Sequence, residues 1–121
     1  MSLSFYTVVI DARDLRAQAR FWCEVLDWRI VFEADDEVVI GKNAAAEPGF
    51  CFVPVQEGKA VKNRLHIDLN PDDQAAEVER LIALGARRAD VGQGPDVTWV
   101  VLEDPEGNEF CVLSPKRSLT G

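Results

Sequence analysis

The chain repeats one short pattern. Val9-Ile10-Asp11 returns 57 residues later as His66-Ile67-Asp68, and each copy precedes a segment with helical periodicity. In a chain of 121 residues, such a period predicts two modules of similar build and no additional domain. One module alone would leave a face of its sheet bare, so we expect the modules to pack together or against a second chain.

The order of elements in the first module is predicted to be β-α-β-β-β. β-Branched and aromatic residues favour strands, and Asp11 and Asp14 are candidate caps for the helix. The apolar stripe of that helix contains Leu15, Ala19, Trp22 and Leu26. The predicted strands cover residues 5–10, 28–33, 36–41 and 50–55, with a loop at 42–49.

The same order is predicted after a connector at residues 56–62. Asn70 is the expected cap of the second helix, Pro71 suits its first position, and Gly85 suits its end. The expected apolar stripe contains Ala75, Val78, Leu81 and Ile82. The predicted strands cover residues 63–69, 86–90, 97–103 and 109–113, with a tight turn at 104–108.

These patterns predict an α+β fold rather than a parallel nucleotide-binding sheet. After each helix the strands follow in a run, and the sequence lacks the G-x-G-x-x-G phosphate motif. We therefore expect a single domain over residues 1–121, with module one at about 4–55 and module two at about 63–114.

The net charge and the composition argue against several classes of partner and location. The formal net charge is −8, and the basic residues are scattered, which argues against nucleic acid or an anionic membrane as a partner. No apolar run reaches the roughly 18 residues that cross a bilayer, and the N-terminus lacks the pattern of a secretory signal. Three cysteines at no metal-finger or redox spacing are typical of a reducing compartment, so a cytoplasmic location is expected.

Three strings together resemble the vicinal oxygen chelate superfamily, the glyoxalase, bleomycin-resistance and extradiol-dioxygenase group. They are VIDARDLRAQARFWCEVLDW, VKNRLHIDL and DPEGNEFCVL, and the order of elements agrees over about residues 5–114. The resemblance is greatest to the glyoxalase-like domain branch. It implies a mixed sheet curled into an open cup, a homodimer and a small-molecule ligand.

The resemblance also implies a divalent ion held by four side chains, which binds two vicinal oxygens of a substrate. The implied ligand positions fall on Thr7, on Phe52 or its neighbour Val53, on His66 and on Cys111. Only His66 is a usual ligand for a hard or borderline ion, so no cofactor is expected. If a metal ion is bound, a soft one is predicted to use His66 and Cys111.

Strand alternation predicts which side chains face the cup. Arg64 beside His66 could hold a carboxylate or phenolate, or form a rim salt bridge with Asp68; Trp99 could stack on a planar ligand or pack in the core. The predicted ligand-binding residues are Thr7, Val9, Phe50, Phe52, Arg64, Asp68, Trp99 and Leu113.

Two functions remain open on this basis. In the first, the cup binds a small organic molecule without chemistry. In the second, the protein is an enzyme, such as a metal-dependent lyase, isomerase or dioxygenase acting on vicinal oxygens through His66. In that case His66 is a general base or a lone metal ligand, Cys111 is a nucleophile or second ligand, and Glu109 or Asp68 assists. A third reading is an interaction module whose cup is filled by its own side chains.

Overall fold

Residues 3–45, 49–89 and 98–115 are described by a computed structural model. The chain divides into two compact units, Met1–Gly58 and Lys59–Gly121. Each unit contains one helix and one four-stranded sheet in its described part. No helix within the described ranges is long and apolar enough to span a membrane.

The first unit has the predicted order of elements. Its strands pair in the order β1-β4-β3-β2, with β1 and β4 parallel and the other neighbours antiparallel. The elements are β1 (Thr7–Ala12), α1 (Leu15–Leu26), β2 (Arg29–Ala34), β3 (Glu37–Gly41) and β4 (Gly49–Pro54).

Local interactions define both ends of α1. The Asp14 carboxylate accepts a hydrogen bond from the Ala17 backbone N–H at 3.2 Å, as the sequence predicts for a cap. At the other end Asp27 adopts a left-handed conformation with φ 56°, which Asp tolerates better than most residues. Its backbone N–H donates to the Cys23 carbonyl and closes the helix.

Aromatic side chains fill the core of the first unit. The ring of Phe50 packs between the rings of Trp22 and Trp28, with centroid-to-centroid distances of 5.8 Å and 5.3 Å. It also contacts the ring of Phe52 edge-on, with the two centroids 6.4 Å apart. Trp22 and Phe52 are almost completely buried. The helix therefore covers the face of the sheet that carries these two phenylalanines.

The second unit repeats this topology in the order β5-β8-β7-β6. Strands β5 and β8 are parallel, and the other pairs are antiparallel. The elements are β5 (Ile67–Leu69), α2 (Gln74–Leu84), β6 (Arg87–Arg88), β7 (Val100–Glu103) and β8 (Glu109–Val112). The α+β class and the tandem β-α-β-β-β order are confirmed.

The start of α2 differs from the prediction. Asp73, not Asn70, is the cap: its carboxylate accepts a hydrogen bond from the Ala76 N–H at 3.0 Å. Gln74, the first helical residue, donates its side-chain amide to the Thr98 and Val112 carbonyls, which attaches the helix to the sheet. The end at Gly85 is as predicted, with a positive φ of 122°.

The fifth strand is shorter than predicted. Residues 63–66 lie outside β5, because its register with β8 begins only at the Ile67–Phe110 pair. At Asn63 the backbone N–H donates instead to the Glu109 carboxylate, at 3.3 Å. The predicted strand ends at residues 90 and 97, and the loop residues 46–48, lie outside the described residues.

Candidate functional site

A cavity of about 290 Å³ opens on one face of the sheet in the second unit. In the register of that sheet Asp68 lies beside Cys111 and Cys111 beside Val101, so their side chains share this face. Phe110, Leu102 and Ile67 alternate with them and point to the opposite face. The cavity is lined by Lys62, His66, Asp68, Trp99, Val101, Glu109, Cys111 and Leu113.

Three of these side chains form a polar cluster, which we call the His66–Asp68–Cys111 cluster. The His66 Nδ1 and Asp68 Oδ1 atoms are 3.2 Å apart. A carboxylate can only accept, so Nδ1 carries the hydrogen of this bond when Asp68 is ionised. The nitrogen, oxygen and sulfur atoms of the cluster lie within 4.8 Å of one another.

The Cys111 thiol is the buried member of the cluster. Burial raises the pKa of Cys111, and the negative charge of Asp68 and a hydrogen bond to its carboxylate raise it further, while Lys62 acts in the opposite direction. The metal-free site therefore holds a protonated thiol at neutral pH. A neutral thiol is a weak nucleophile, which argues against Cys111 as an activated nucleophile on its own.

Glu109 lies at the edge of the cavity and is occupied by two partners. One carboxylate oxygen is 3.1 Å from the Lys59 ammonium, and the other accepts from the Asn63 N–H. Burial alone would raise the pKa of Glu109, but hydrogen bonds from its own backbone N–H, from Lys59 and from Asn63, together with the Lys59 charge, lower it below the ordinary value. Glu109 is thus a structural anchor with little capacity to act as a base.

Of the seven predicted site residues in the second unit, six line the cavity and one does not. Arg64, predicted to bind a carboxylate, does not line the cavity; Lys62 does. Lys62 and Val101 were missed: Lys62 was assigned to the connector, and Val101 fell within the predicted strand 97–103 without being singled out. The alternation of β7 from Trp99 could have identified Val101. The six residues brought together are His66, Asp68, Trp99, Glu109, Cys111 and Leu113.

The remaining predicted residues lie in the first unit, where one assignment is wrong. Thr7 and Val9 pair with Gly49 and Cys51, so these four share a face of the sheet. Phe50 and Phe52 have the opposite parity and pack into the core beneath α1 rather than beside Thr7 and Val9. The error was one residue of register along β4.

Because of this register error, Cys51 was not identified as the β4 residue that shares a face with Thr7 and Val9. It is buried, and its thiol lies 3.1 Å from a carboxylate oxygen of Glu37 on β3. Cys51 is not the counterpart of Cys111 in the repeat: Asp68 pairs with Cys111, whereas Asp11, which corresponds to Asp68, pairs with Val53.

The side chains at the implied metal positions do not fit a hard divalent ion. Thr7 donates its hydroxyl to the Gly49 carbonyl at 2.9 Å, and Phe52 offers no ligand atom. Mn²⁺ and Mg²⁺ prefer several oxygen ligands, yet the cluster offers a single carboxylate beside an imidazole and a thiol. No chemistry through such an ion is therefore derived for these residues.

Comparison with solved structures supports the fold. A glyoxalase/bleomycin resistance protein/dioxygenase family enzyme from Burkholderia phytofirmans is 18% identical, with a TM-score of 0.72 over 94% of this chain and 100% of that one. A glyoxalase-related enzyme from Fulvimarina pelagi is 21% identical, with a TM-score of 0.68 over 92% of this chain and 87% of its own.

A third similar structure contains a metal ion. It is a mutant of the fosfomycin resistance protein FosX from Listeria monocytogenes, in complex with Mn(II) and 1S,2S-dihydroxypropylphosphonic acid. It is 13% identical, with a TM-score of 0.72 over 96% of this chain and 92% of its own. A search of curated proteins found no match.

The family model of the glyoxalase-like domain matches residues 7–113, which covers both modules. Together with the tandem β-α-β-β-β topology, this match confirms the resemblance seen in the sequence. The chain belongs to the glyoxalase-like domain family.

Proposed function

We propose that the protein binds a small organic molecule in the cavity of the second unit. The observation that carries this proposal is the cavity itself, whose eight lining residues combine apolar surface with a few polar groups. Its volume of about 290 Å³ lies just below the range of roughly 300–1,000 Å³ that is typical of ligand pockets. A ligand of this site is therefore small.

The lining suggests the chemical class of the ligand. Trp99, which is 40% exposed, lines the cavity together with the apolar side chains of Val101 and Leu113, and an indole ring suits a planar or aliphatic group. Lys62 supplies a positive charge, whereas the charge of Lys59 is neutralised by Glu109. We expect a small molecule with an apolar part and an anionic oxygen, such as a carboxylate, phenolate or phosphonate.

The printed descriptions of similar structures agree with this class. The Listeria protein is bound to a three-carbon phosphonic acid, and another neighbour is a bleomycin resistance determinant encoded on the transposon Tn5. Of the two, the phosphonic acid bound to the Listeria protein belongs to the expected anionic class. The similarity shows the fold alone, so the cavity residues of this chain remain the basis of the proposal.

A thermal-shift screen tests the proposal, since a ligand that binds only the native state raises the melting temperature. The panel contains aliphatic and aromatic carboxylates, phenols and phosphonates, each matched by a neutral amide or alcohol. We expect an anionic hit with a saturable shift, weakened by Trp99→Ala and by Lys62→Gln.

The matched control is Lys42→Gln, which removes an exposed lysine in the first unit. If Lys42→Gln weakens the hit as much as Lys62→Gln does, the binding is non-specific ion attraction. If no compound in the panel shifts the melting temperature, the proposal is wrong. That result would favour the hypothesis that the protein is an interaction module.

A metal-dependent reaction through His66 is a second candidate, favoured by the His66–Asp68–Cys111 cluster beside the cavity. It predicts turnover of a substrate with vicinal oxygens that is abolished by His66→Gln and by metal removal. Turnover that persists in both conditions contradicts it.

We also propose that the protein is a cytoplasmic homodimer. Sedimentation equilibrium of the full chain gives the oligomeric state directly, and a mass near 13.4 kDa contradicts a dimer.

A further inference from the structure

We infer that the ligand of this cavity is a zwitterion, a short apolar skeleton that carries both an ammonium group and a carboxylate or phosphonate. The inference rests on the proposed function, since it names the class of ligand that the same cavity binds. It depends on two opposite charges in the lining, Lys62 and Asp68. The resemblance implies a metal ligand at neither of these positions.

The two charges line one cavity and do not neutralise each other. In the described part of the chain Lys62 forms no ion pair, and no lysine or arginine pairs with Asp68. Burial raises the pKa of the Cys111 thiol, Asp68 raises it further and Lys62 lowers it, so both charges act on the same atom. Because the cavity between them measures only about 290 Å³, one small molecule can contact both.

The Asp68 end of the cavity offers hydrogen-bond acceptors. When Asp68 is ionised, His66 Nδ1 carries the hydrogen of the 3.2 Å bond, and in the neutral ring this leaves Nε2 with a lone pair. The carboxylate has about four acceptor sites, and it accepts from the His66 ring and the Cys111 thiol. The Asp68 side chain is 48% exposed, so its remaining sites are accessible. A ligand group at this end must therefore donate hydrogen bonds.

An ammonium group suits this end better than a neutral hydroxyl. It supplies three donors and the positive charge that Asp68 lacks, and charge-assisted hydrogen bonds are roughly twice as strong as neutral ones. Trp99 lines the same cavity, and an indole ring attracts a cation that lies over its face. An anionic oxygen here would meet the like charge of Asp68, so the carboxylate or phosphonate is expected at Lys62.

The charge balance of the lining favours a zwitterion over a simple anion. Lys59 and Glu109 neutralise each other at 3.1 Å. One positive charge, at Lys62, and one negative charge, at Asp68, are then left for the ligand to match. A simple anion matches only the first. A zwitterion matches both, and the apolar part of the lining can contact its skeleton.

Isothermal titration calorimetry of the full-length, reduced protein at neutral pH tests the inference. Leucine is compared with isocaproate, in which a hydrogen replaces the ammonium group, and with isoamylamine, in which a hydrogen replaces the carboxylate. EDTA is present throughout, because amino acids also chelate metal ions. We expect leucine to bind more tightly than either by roughly tenfold or more, the factor that one hydrogen bond to a charged group provides. Valine, β-leucine and the aminophosphonate analogue of leucine vary the size, the spacing and the anion.

Two charge variants assign the ends of the ligand. Asp68→Asn should lower the affinity for leucine to near that for isocaproate, and it should not weaken isocaproate. Lys62→Gln should weaken leucine and isocaproate but not isoamylamine, whereas a merely structural role would weaken all three together. Asp72→Asn is the matched control, because Asp72 is an exposed carboxylate of the same unit that does not line the cavity. It should leave all three affinities unchanged.

The three compounds on the parent chain decide the inference even where a variant does not fold. Isocaproate or isoamylamine that binds as tightly as leucine would overturn it, and so would an equal loss of leucine affinity in Asp68→Asn and Asp72→Asn. If isocaproate alone equals leucine, the proposed function stands, because the cavity then binds a simple anion. If neither these compounds nor the thermal-shift panel bind, both the inference and the proposed function are wrong.

Discussion

The Glu109 carboxylate and the Lys59 ammonium form a largely buried ion pair at 3.1 Å, with side chains only 9% and 20% exposed. Glu109 is the first residue of β8, and Lys59 opens the segment that leads to His66 and β5. The pair thus attaches this segment to the sheet. Because Asn63 binds the other Glu109 oxygen, one carboxylate fixes the chain at two points beside the cavity.

Removing this carboxylate should destabilise the second unit. Glu109→Gln leaves the Lys59 ammonium partly buried without its counter-charge, and we expect a loss of about 1–3 kcal/mol in the free energy of unfolding. Urea unfolding of Glu109→Gln, Lys59→Met and the double variant gives the coupling energy of the pair.

The exposed pair of Glu77 and Arg80 on α2, at 2.9 Å, is the matched comparison. Its coupling should be only about 0.3–0.5 kcal/mol, because solvent screens it. Equal coupling energies for the two pairs would show that Glu109 is no anchor.

The same carboxylate should make stability depend on pH in the acid range. The folded pKa of Glu109 is lowered, so its contribution is fully present above the ordinary pKa of a glutamate and is lost as the pH falls through the folded value. Unfolding free energies measured from about pH 6 to about pH 3 should fall less steeply in Glu109→Gln than in the parent chain. Identical slopes would contradict the lowered pKa.

Local signals in the sequence predicted the elements of the fold well. Asp14 was identified as a cap and Gly85 as a helix end, because both act through backbone groups within a few residues of them. The cap of α2 was placed at Asn70 because Asn70-Pro71 is itself a good start signal. In the structure the cap is Asp73, and a helix that begins there lets the Gln74 side chain donate to the carbonyls of Thr98 and Val112. That choice depends on tertiary contacts that local patterns do not contain.

The candidate site was harder to predict, because it depends on strand register. In β4, the run Phe50-Cys51-Phe52 is apolar throughout, so alternation of polar and apolar residues cannot tell one face from the other. In β8, the placement of Glu109, Cys111 and Leu113 on one face agrees with the cavity. Lys62 was missed because it lies outside any strand, where periodicity gives no information.

Cys51 should be unusually resistant to alkylation. Burial, the hydrogen bond to Glu37 and the charge of Glu37 raise its pKa to about 11, so little thiolate forms at neutral pH. Glu37→Gln removes the charge, and we expect a lower pKa and faster modification by iodoacetamide. Peptide mass spectrometry across a pH series separates Cys51 from Cys23 and Cys111.

Cys111 provides the internal control for that experiment. Its pKa is raised by burial and by Asp68, not by Glu37, so its modification rate should not change in Glu37→Gln. Equal acceleration of both cysteines would indicate a general loosening of the fold.

The face of β4 beside Thr7 tolerates no added side chain at Gly49. A Cβ atom there would collide with the backbone carbonyl of Ile40 on β3, and backbone cannot move aside as a flexible side chain can. Gly49 also accepts the Thr7 hydroxyl hydrogen bond, so a shift of β4 would disturb β1 as well. We expect Gly49→Ala to lower the free energy of unfolding in urea by about 1–3 kcal/mol, as overpacking does.

Gly58→Ala is the control. A Cβ atom at Gly58 would have the Arg13 side chain as its nearest neighbour, at an ordinary contact distance of 3.6 Å. The stability of Gly58→Ala should therefore stay within about 0.5 kcal/mol of that of the parent chain. An equally small effect at Gly49 would mean that β3 and β4 do not approach as closely as described.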